Sequence, residues 1–250
     1  MTLLGIFSIG IYSYWAAKHR GYNEVDVIIT LLVSAIGVFL GSHLLYAMVN
    51  YKQVINLIQN FNKNCSFSQF TYLLNLAFGG SVFYGGLFGG ILITTIIFRN
   101  KRKDFINQID LIAPGIPLFH FFGRIGCFLA GCCFGKACNF GFTYSHSIIE
   151  AANGVKRFPV QLLEALINFL LFLMLSNEYV YKKFEGSLFL LYLFAYSIAR
   201  FFIEFFRGDT YRGIWFFLST SQWISIVLFI LSLKMLWNKM IIINKHKEYR

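Results

Sequence analysis

Long apolar stretches separated by short polar and basic segments run along most of this 250-residue chain. About 20 helical residues cross the hydrocarbon core of a bilayer, where only helices and closed barrels satisfy their own backbone hydrogen bonds. The pattern therefore predicts an all-α, polytopic integral membrane protein. We predict seven transmembrane segments, at roughly 2–17, 26–49, 70–98, 108–134, 160–176, 186–206 and 221–237.

Three glycine pairs interrupt the third predicted segment, at Gly79–Gly80, Gly85–Gly86 and Gly89–Gly90. Small residues let transmembrane helices approach closely. We therefore expect a span that is broken there, in part re-entrant, or closely packed. The chain has no linker rich in Pro, Ser or Gly, so residues 1–250 are predicted to form a single transmembrane domain.

Two prolines, Pro114 and Pro117, lie near the start of the fourth predicted segment. Proline removes a backbone donor and clashes with the preceding helical turn. We therefore predict a kink or a later start for this span. A larger loop of about 25 residues, 135–159, is predicted between the fourth and fifth spans.

Composition excludes a soluble protein, because 57% of the residues are hydrophobic and only 13% are charged, with a mean hydropathy of +0.62. Soluble domains are about 25% charged.

With the N-terminus outside, 13 of the 22 Lys and Arg residues fall in inside segments and 7 in outside segments. Cytoplasmic loops are enriched in such residues. The predicted topology has the N-terminus outside and the C-terminus in the cytoplasm, and basic residues scattered over both sides do not indicate nucleic-acid binding.

Two arginines, Arg124 and Arg200, fall inside predicted spans. A charge at the bilayer centre costs about 2.5–3.5 kcal/mol on insertion scales, so an intramembrane arginine indicates a functional site. Arg200 shares a helix face with Glu204, four residues on, and a buried ion pair is one interpretation. The other is that both arginines converge on a phosphate, because a guanidinium donates two hydrogen bonds to it at once. A phosphate inside a membrane protein indicates a phospholipid head group.

A cluster of cysteines follows Arg124, with Cys127, Cys132, Cys133 and Cys138 in the spacing C-x4-C-C-x4-C. This spacing is not that of a structural zinc site, and no metal or other cofactor is expected. Close packing, a disulfide involving Cys138 on an oxidising side, and direct catalysis all remain open.

Five stretches resemble the prolipoprotein diacylglyceryl transferases in order and spacing. They are IGVFLGSHLLYAMVN, GGSVFYGGLFGG, DLIAPGIPLFHFFGRIGCFLAGCCFG, RFPVQLLEAL, and ARFFIEFFRGD with LSTSQWISI. The resemblance implies transfer of diacylglycerol from phosphatidylglycerol to the lipobox cysteine of a prolipoprotein signal peptide, in the bacterial plasma membrane.

The resemblance also assigns residues. The implied catalytic residues are Arg124, Arg200, Glu204 and Tyr84; the implied phosphatidylglycerol-binding residues are Arg124, Arg200, Arg207, Gly126 and Gly135; further candidates are Cys127, Cys132, Glu164 and Gln161. The chain departs from the family pattern at four positions. His43 stands where an arginine is usual, Tyr84 where a histidine is proposed as base, Cys127 for an asparagine and Cys132 for a glutamate.

The sequence does not decide which group accepts the thiol proton. Tyr84, Glu164 and Glu204 are the candidates, and the alternative is that the field of the arginines lowers the pKa of the incoming thiol. The departures also leave a second function open. In that alternative, a catalytically divergent relative binds anionic lipid and performs thiol, redox or scaffold work through its cysteines. Retention of Arg124, Arg200 and Glu204 favours the enzyme, because a scaffold has little reason to retain costly intramembrane charges.

Overall fold

The computed structural model describes residues 1–49, 51, 55, 59, 71, 83–99, 102–147, 149–181, 184, 186–208 and 214–248. Its helices in these ranges are α1 (Thr2–Arg20), α2 (Glu24–Val49), α3 (Phe83–Ile97), α4 (Arg102–Ile112), α5 (Gly115–Ala130), α6 (Val160–Tyr181), α7 (Leu188–Ile203) and α8 (Thr220–Glu248). Two antiparallel pairs of short strands join β1 (Ala137–Thr143) to β2 (Lys156–Arg157) and β3 (Ile214–Trp215) to β4 (Leu218–Ser219). The prediction of a mostly helical chain is confirmed.

Five helical segments in the described part of the chain are long and apolar enough to cross a membrane. They are Glu24–Met48, Ile106–Ala130, Val160–Tyr181, Leu188–Phe206 and Thr220–Ile241, with a shorter apolar helix at Gly85–Ile97. The predicted total of seven is not confirmed, since α1 is not among the five and residues 72–82 of the third predicted span lie outside the described residues.

The outward faces of the helices, α1 included, are apolar. Phe7 is 65% exposed, and Leu170 on α6 and Ile230 on α8 are each more than half exposed. Contiguous apolar surface of this kind is rare on soluble monomers and marks contact with a membrane or a partner. Polar side chains such as Gln161 and Glu164 are buried instead. This distribution is the one expected of helices that face lipid.

The chain divides into two compact units, Met1–Tyr22 with Ile106–Arg250 and Asn23–Phe105. In the second unit, α2 and α3 pack through facing glycines. A Cβ built on Gly37 would lie 2.6 Å from the Gly89 carbonyl oxygen, and one built on Gly89 would lie 2.8 Å from the Gly41 Cα. α3 runs without a break through Gly85, Gly86, Gly89 and Gly90, so these glycines serve close packing and do not interrupt the helix. Gly79 and Gly80 lie outside the described residues.

We expect Gly89→Ala to destabilise the protein although alanine is the better helix former. Its methyl group meets the backbone of α2 rather than a flexible side chain, and overpacking of this kind costs about 1–3 kcal/mol. The matched control is Gly10→Ala in α1, where a Cβ meets nothing within 4 Å and the change favours the helix by up to about 1 kcal/mol. Thermal unfolding in detergent should show a lower midpoint for Gly89→Ala only. Equal midpoints would contradict the close approach.

In the first unit, α5 packs between α1 and α6, and α7 packs between α6 and α8. A Cβ on Gly115 would lie 2.6 Å from Ile9 of α1, so glycine allows this contact. The helix is interrupted at Ala113 and Pro114, near the start of the fourth span, where a kink or a later start was predicted.

The end of α5 differs from the predicted end of the fourth span at residue 134. The helix stops at Ala130, because Gly131 adopts a left-handed conformation with φ 70°. The backbone N–H of Gly131 donates to the Phe128 carbonyl, and that of Cys132 donates to the Cys127 carbonyl. This pair of bonds is a Schellman C-cap, which satisfies carbonyls that the helix leaves open. Cys132 and Cys133 therefore lie in the turn beyond the helix.

The predicted loop between α5 and α6 is confirmed, and it carries the β1–β2 pair. Its buried centre consists of Phe134, Tyr144 and Ala152. The Arg157 guanidinium stacks over the Phe134 ring, 4.2 Å from its centroid, and donates to the Gly135 carbonyl at 3.3 Å. These contacts fix the turn that follows α5 against the start of α6.

Candidate active site

A polar face runs along the otherwise apolar helix α6. Gln161, Glu164 and Asn168 follow helical spacing, and all three are at most 1% exposed. Buried polar groups are strongly disfavoured unless they are hydrogen-bonded or paired. Glu164, the charged member, is therefore the natural centre of a site.

Glu164 binds two arginines from different parts of the chain. Its Oε1 lies 3.0 Å from Arg124 Nη2, on α5, and its Oε2 lies 3.9 Å from Arg207 Nη1, just after α7. Tyr196 of α7 also donates its hydroxyl to Glu164 Oε1, at 3.3 Å. One carboxylate thus faces two guanidiniums, and the cluster has an excess of positive charge.

Arg200 adds a third guanidinium from α7. Its Nη2 lies 2.6 Å from Glu204 Oε2 and 3.2 Å from the Ser221 hydroxyl at the start of α8. Its positive charge also acts on Glu164. Arg200 is 7% exposed, and its Nη1 has no hydrogen-bond partner among the residues that the structure describes. A buried guanidinium nitrogen without an acceptor is a position where an anionic group of a ligand can bind.

The turn after α5 places Arg207 next to this cluster. Gly135 pairs with Arg207 as an isolated antiparallel bridge, and the Lys136 backbone N–H donates to the Phe206 carbonyl at 2.9 Å. A Cβ on Gly135 would collide with the Phe158 carbonyl oxygen. Glycine is required here because three backbone segments meet at this point.

Gln161 connects the turn to α6. Its Nε2 donates to the Cys132 carbonyl at 2.8 Å and contacts the Tyr144 hydroxyl at 3.3 Å. Burial raises the pKa of Tyr144, which lies in the loop between α5 and α6. Gln161 therefore holds the position of the turn, and the structure gives it no contact with Arg124 or Arg200.

The three cysteine sulfurs at the end of α5 converge. The Sγ atoms of Cys127, Cys132 and Cys133 all lie within 4.8 Å of one another. Arg124 Nη1 lies 4.0 Å from Cys127 Sγ. The Cys132 thiol donates to the Cys127 carbonyl oxygen at 3.7 Å. The sequence spacing gave no indication of this arrangement.

The contacts above do not include two further predicted site residues, Tyr84 and Gly126. Tyr84 belongs to the first turn of α3, in the other compact unit, and its side chain lies outside the described residues. Gly126 faces the residue that precedes α1, where a Cβ would come within 2.9 Å of Met1 Cβ. Helix packing accounts for this glycine.

Four residues in or beside the cluster were not predicted from the sequence. Tyr196 and Ser221 contact Glu164 and Arg200, and His120 Nδ1 lies 3.2 Å from the Tyr192 hydroxyl at the edge of the cluster. For the tyrosines a signal existed. Tyr192, Tyr196, Arg200 and Glu204 recur every fourth residue, which places them on one face of α7.

The fold and the cluster define a multi-pass helical membrane protein with a buried arginine–carboxylate site. The family model described as prolipoprotein diacylglyceryl transferase matches residues 1–238. The chain belongs to this family.

Individual relatives agree over most of their length. A protein of Clostridium tetani named phosphatidylglycerol–prolipoprotein diacylglyceryl transferase is 34% identical over 93% of this chain and 88% of its own. A protein of Clostridium perfringens named phosphatidylglycerol–prolipoprotein diacylglyceryl transferase 2 is 34% identical over 92% of this chain and 85% of its own. One from Campylobacter hominis is 35% identical over 78% of this chain and 68% of its own.

Proposed function

We propose that this protein transfers the diacylglyceryl group of phosphatidylglycerol to the thiol of a lipobox cysteine in bacterial prolipoproteins. Membership of the family and the names of its relatives support this reaction. The observation that carries the proposal is the buried Arg200, whose Nη2 is held by Glu204 and Ser221 while Nη1 has no partner within the described ranges. Nothing in the comparisons favours the redox or scaffold alternative.

The reaction proceeds by substitution at carbon. The sulfur of the lipobox cysteine attacks the glycerol carbon that bears the phosphate, the carbon–oxygen bond breaks, and glycerol phosphate leaves with the bonding electrons. The thiol proton is released. Negative charge develops on the leaving phosphate, so donors aimed at that position lower the barrier. The positive field of the arginines also favours the thiolate form of the nucleophile.

The described contacts suggest different roles for the three arginines. Arg200 and Arg124 bind the phosphate, and Arg207 supplies further positive charge beside it. Glu164 is a positioning residue, because it already balances the charges of Arg124 and Arg207. Glu204 positions Arg200 in the same way. Tyr84 remains a proposed catalytic residue on the family resemblance alone, and Gly126 and Gly135 allow the close packing that shapes the site.

We further propose that the protein lies in the bacterial plasma membrane with seven spans, its N-terminus outside and its C-terminus in the cytoplasm. The excess of Lys and Arg in the segments assigned to the inside supports this orientation. The cluster would then lie toward the outer side, where lipoprotein precursors emerge from the membrane. The proposed reaction needs no metal or cofactor, and residues 1–250 would act as one domain.

The purified full-length protein, given phosphatidylglycerol and a lipobox peptide, is expected to produce a thioether-linked diacylglyceryl peptide. Mass spectrometry of the peptide measures the product directly. A peptide with serine in place of the lipobox cysteine is the matched control and should stay unmodified. Absence of product with phosphatidylglycerol and with every other phospholipid donor would refute the proposed function. Complementation of a bacterium depleted of its own transferase tests the same reaction in cells.

A further inference from the structure

Three thiols form one compact group where α5 ends. Cys127 lies in the last turn of the helix, and the left-handed Gly131 reverses the chain so that Cys132 and Cys133 return toward it. Cys133 itself has φ 56°. A non-glycine residue in this region stores about 1–3 kcal/mol of strain, which is found most often at functional sites. The result is three sulfurs within 4.8 Å of one another.

The spacing of the sulfurs suits a metal ion. A zinc–sulfur bond is about 2.3 Å long, so three sulfurs around a trigonal ion lie about 4.0 Å apart. The three sulfurs need to move together by less than about 1 Å to reach this geometry. The group contributes only sulfur, and thiolates select soft cations over Mg²⁺ and Ca²⁺. None of the three cysteines forms a disulfide, and all three are half-buried, so a cation has access to the thiols.

The positive charges around the three cysteines favour the metal-bound form of the site. Three thiolates with a divalent cation carry a net charge of −1. At a partly buried position, this charge needs opposite charges nearby. Arg124 Nη1 lies 4.0 Å from Cys127 Sγ, and the positive charge of Arg207 acts on the Cys133 thiol. Both guanidiniums can therefore balance the negative charge of the metal–thiolate group.

We propose that Cys127, Cys132 and Cys133 bind one thiophilic metal cation, of the class that includes Zn²⁺, Cd²⁺ and Cu⁺. Each ligating thiol releases its proton to solvent on binding. Arg124 and Arg207 both pair with Glu164, Arg124 also contacts Cys127, and the charge of Arg207 acts on Cys133. A bound metal would draw them from the phosphate position and inhibit transfer; this consequence rests on the proposed function, whereas metal binding does not.

Cadmium is the probe, because a cadmium–thiolate site absorbs in the ultraviolet by sulfur-to-metal charge transfer. Titration of Cd²⁺ into the purified full chain in detergent, with a non-thiol reductant, is expected to saturate at one ion per chain. Cys127→Ser, Cys132→Ser and Cys133→Ser should each weaken binding by more than the roughly 10–100-fold lost with an outer-shell partner. The matched control is Cys138→Ser, since the Cys138 thiol donates to the Phe140 carbonyl outside the cluster.

Metal protection from alkylation checks the site without any variant. Bound Cd²⁺ should protect Cys127, Cys132 and Cys133 from a thiol reagent and leave Cys138 as reactive as before. No charge-transfer band in the folded, reduced protein, or a full band in Cys132→Ser, would overturn the proposal. Cd²⁺ that binds without slowing transfer would overturn the inhibition alone. A chain without any transferase activity would refute the proposed function and leave the binding result valid.

Discussion

Replacing Arg200 with alanine is expected to reduce the rate of diacylglyceryl transfer by about 100- to 1000-fold, the loss typical of a donor aimed at developing negative charge. Arg200 is the guanidinium whose Nη2 is already bound by Glu204 and Ser221 and whose Nη1 is open to a ligand in the described structure. The effect should fall mainly on kcat, because the phosphate gains charge as the carbon–oxygen bond breaks. Arg124→Ala should show a loss of similar size.

Lysine at position 200 is not expected to perform the function of Arg200. A lysine ammonium is a compact point charge, whereas the guanidinium presents donors on separate nitrogens. Arg200 uses one nitrogen for Glu204 and offers the other to the ligand. We therefore expect Arg200→Lys to retain the protein fold and to recover only a small part of the rate.

Two further variants separate catalysis from folding. Arg200→Ala leaves Glu204 buried without its partner, which destabilises the fold, whereas replacing both members of a buried pair by apolar residues is often neutral. The double variant Arg200→Met with Glu204→Leu should unfold at the wild-type temperature and remain inactive. Lys156→Ala removes an exposed positive charge from β2 and should keep full activity. A rate for Arg200→Ala above about a tenth of wild type would contradict the phosphate role.

Replacing Glu164 with alanine is expected to lower the free energy of unfolding by about 3–5 kcal/mol, the cost of breaking a buried ion pair. Glu164 is 1% exposed and is the carboxylate that Arg124 and Arg207 share. Its loss removes from this buried position the carboxylate that balances both guanidiniums. Thermal unfolding in detergent, followed by circular dichroism, measures the change as a lower midpoint.

Glu164→Gln and Glu150→Ala test the cause of this effect. Glutamine retains the volume and the acceptor for the Tyr196 hydroxyl but removes the charge, so we expect an intermediate loss. Glu150 is exposed in the loop between α5 and α6, and its replacement should leave the midpoint unchanged. If Glu164→Ala unfolds at the same temperature as Glu150→Ala, Glu164 is not the counter-charge of the arginines.

Much of the helical framework could be predicted from hydrophobicity alone. Five of the predicted spans, 26–49 and the four that begin at residue 108 and beyond, correspond to helices of spanning length, because each apolar run can satisfy its backbone only within itself. The end of the fourth span was placed at residue 134 rather than at Ala130. Hydropathy does not detect a left-handed glycine, and Gly131 ends the helix through its backbone conformation while the apolar character of the sequence continues.

The sequence predicted which residues belong to the candidate site, but not how they are arranged. Arg124, Arg200, Glu204 and Arg207 were identified, and the Arg200–Glu204 pair followed from its four-residue spacing. The expected direct convergence of Arg124 and Arg200 on a phosphate omitted Glu164, which was only a further candidate. Its contacts join α6 to α5 and to the segment after α7, and no local spacing encodes such a contact.

By itself, the sequence determined which segments are helical, which charges lie among apolar residues, and the family to which the chain is similar. These properties depend on residues near one another in the chain, through hydrophobic content and the 3.6-residue period of the helix. The tertiary structure decided that one carboxylate holds two arginines and that three cysteines meet beside them. Both arrangements require the turn after α5 to pack against α6 and the residues that follow α7, and that packing depends on the shapes of segments far apart in sequence.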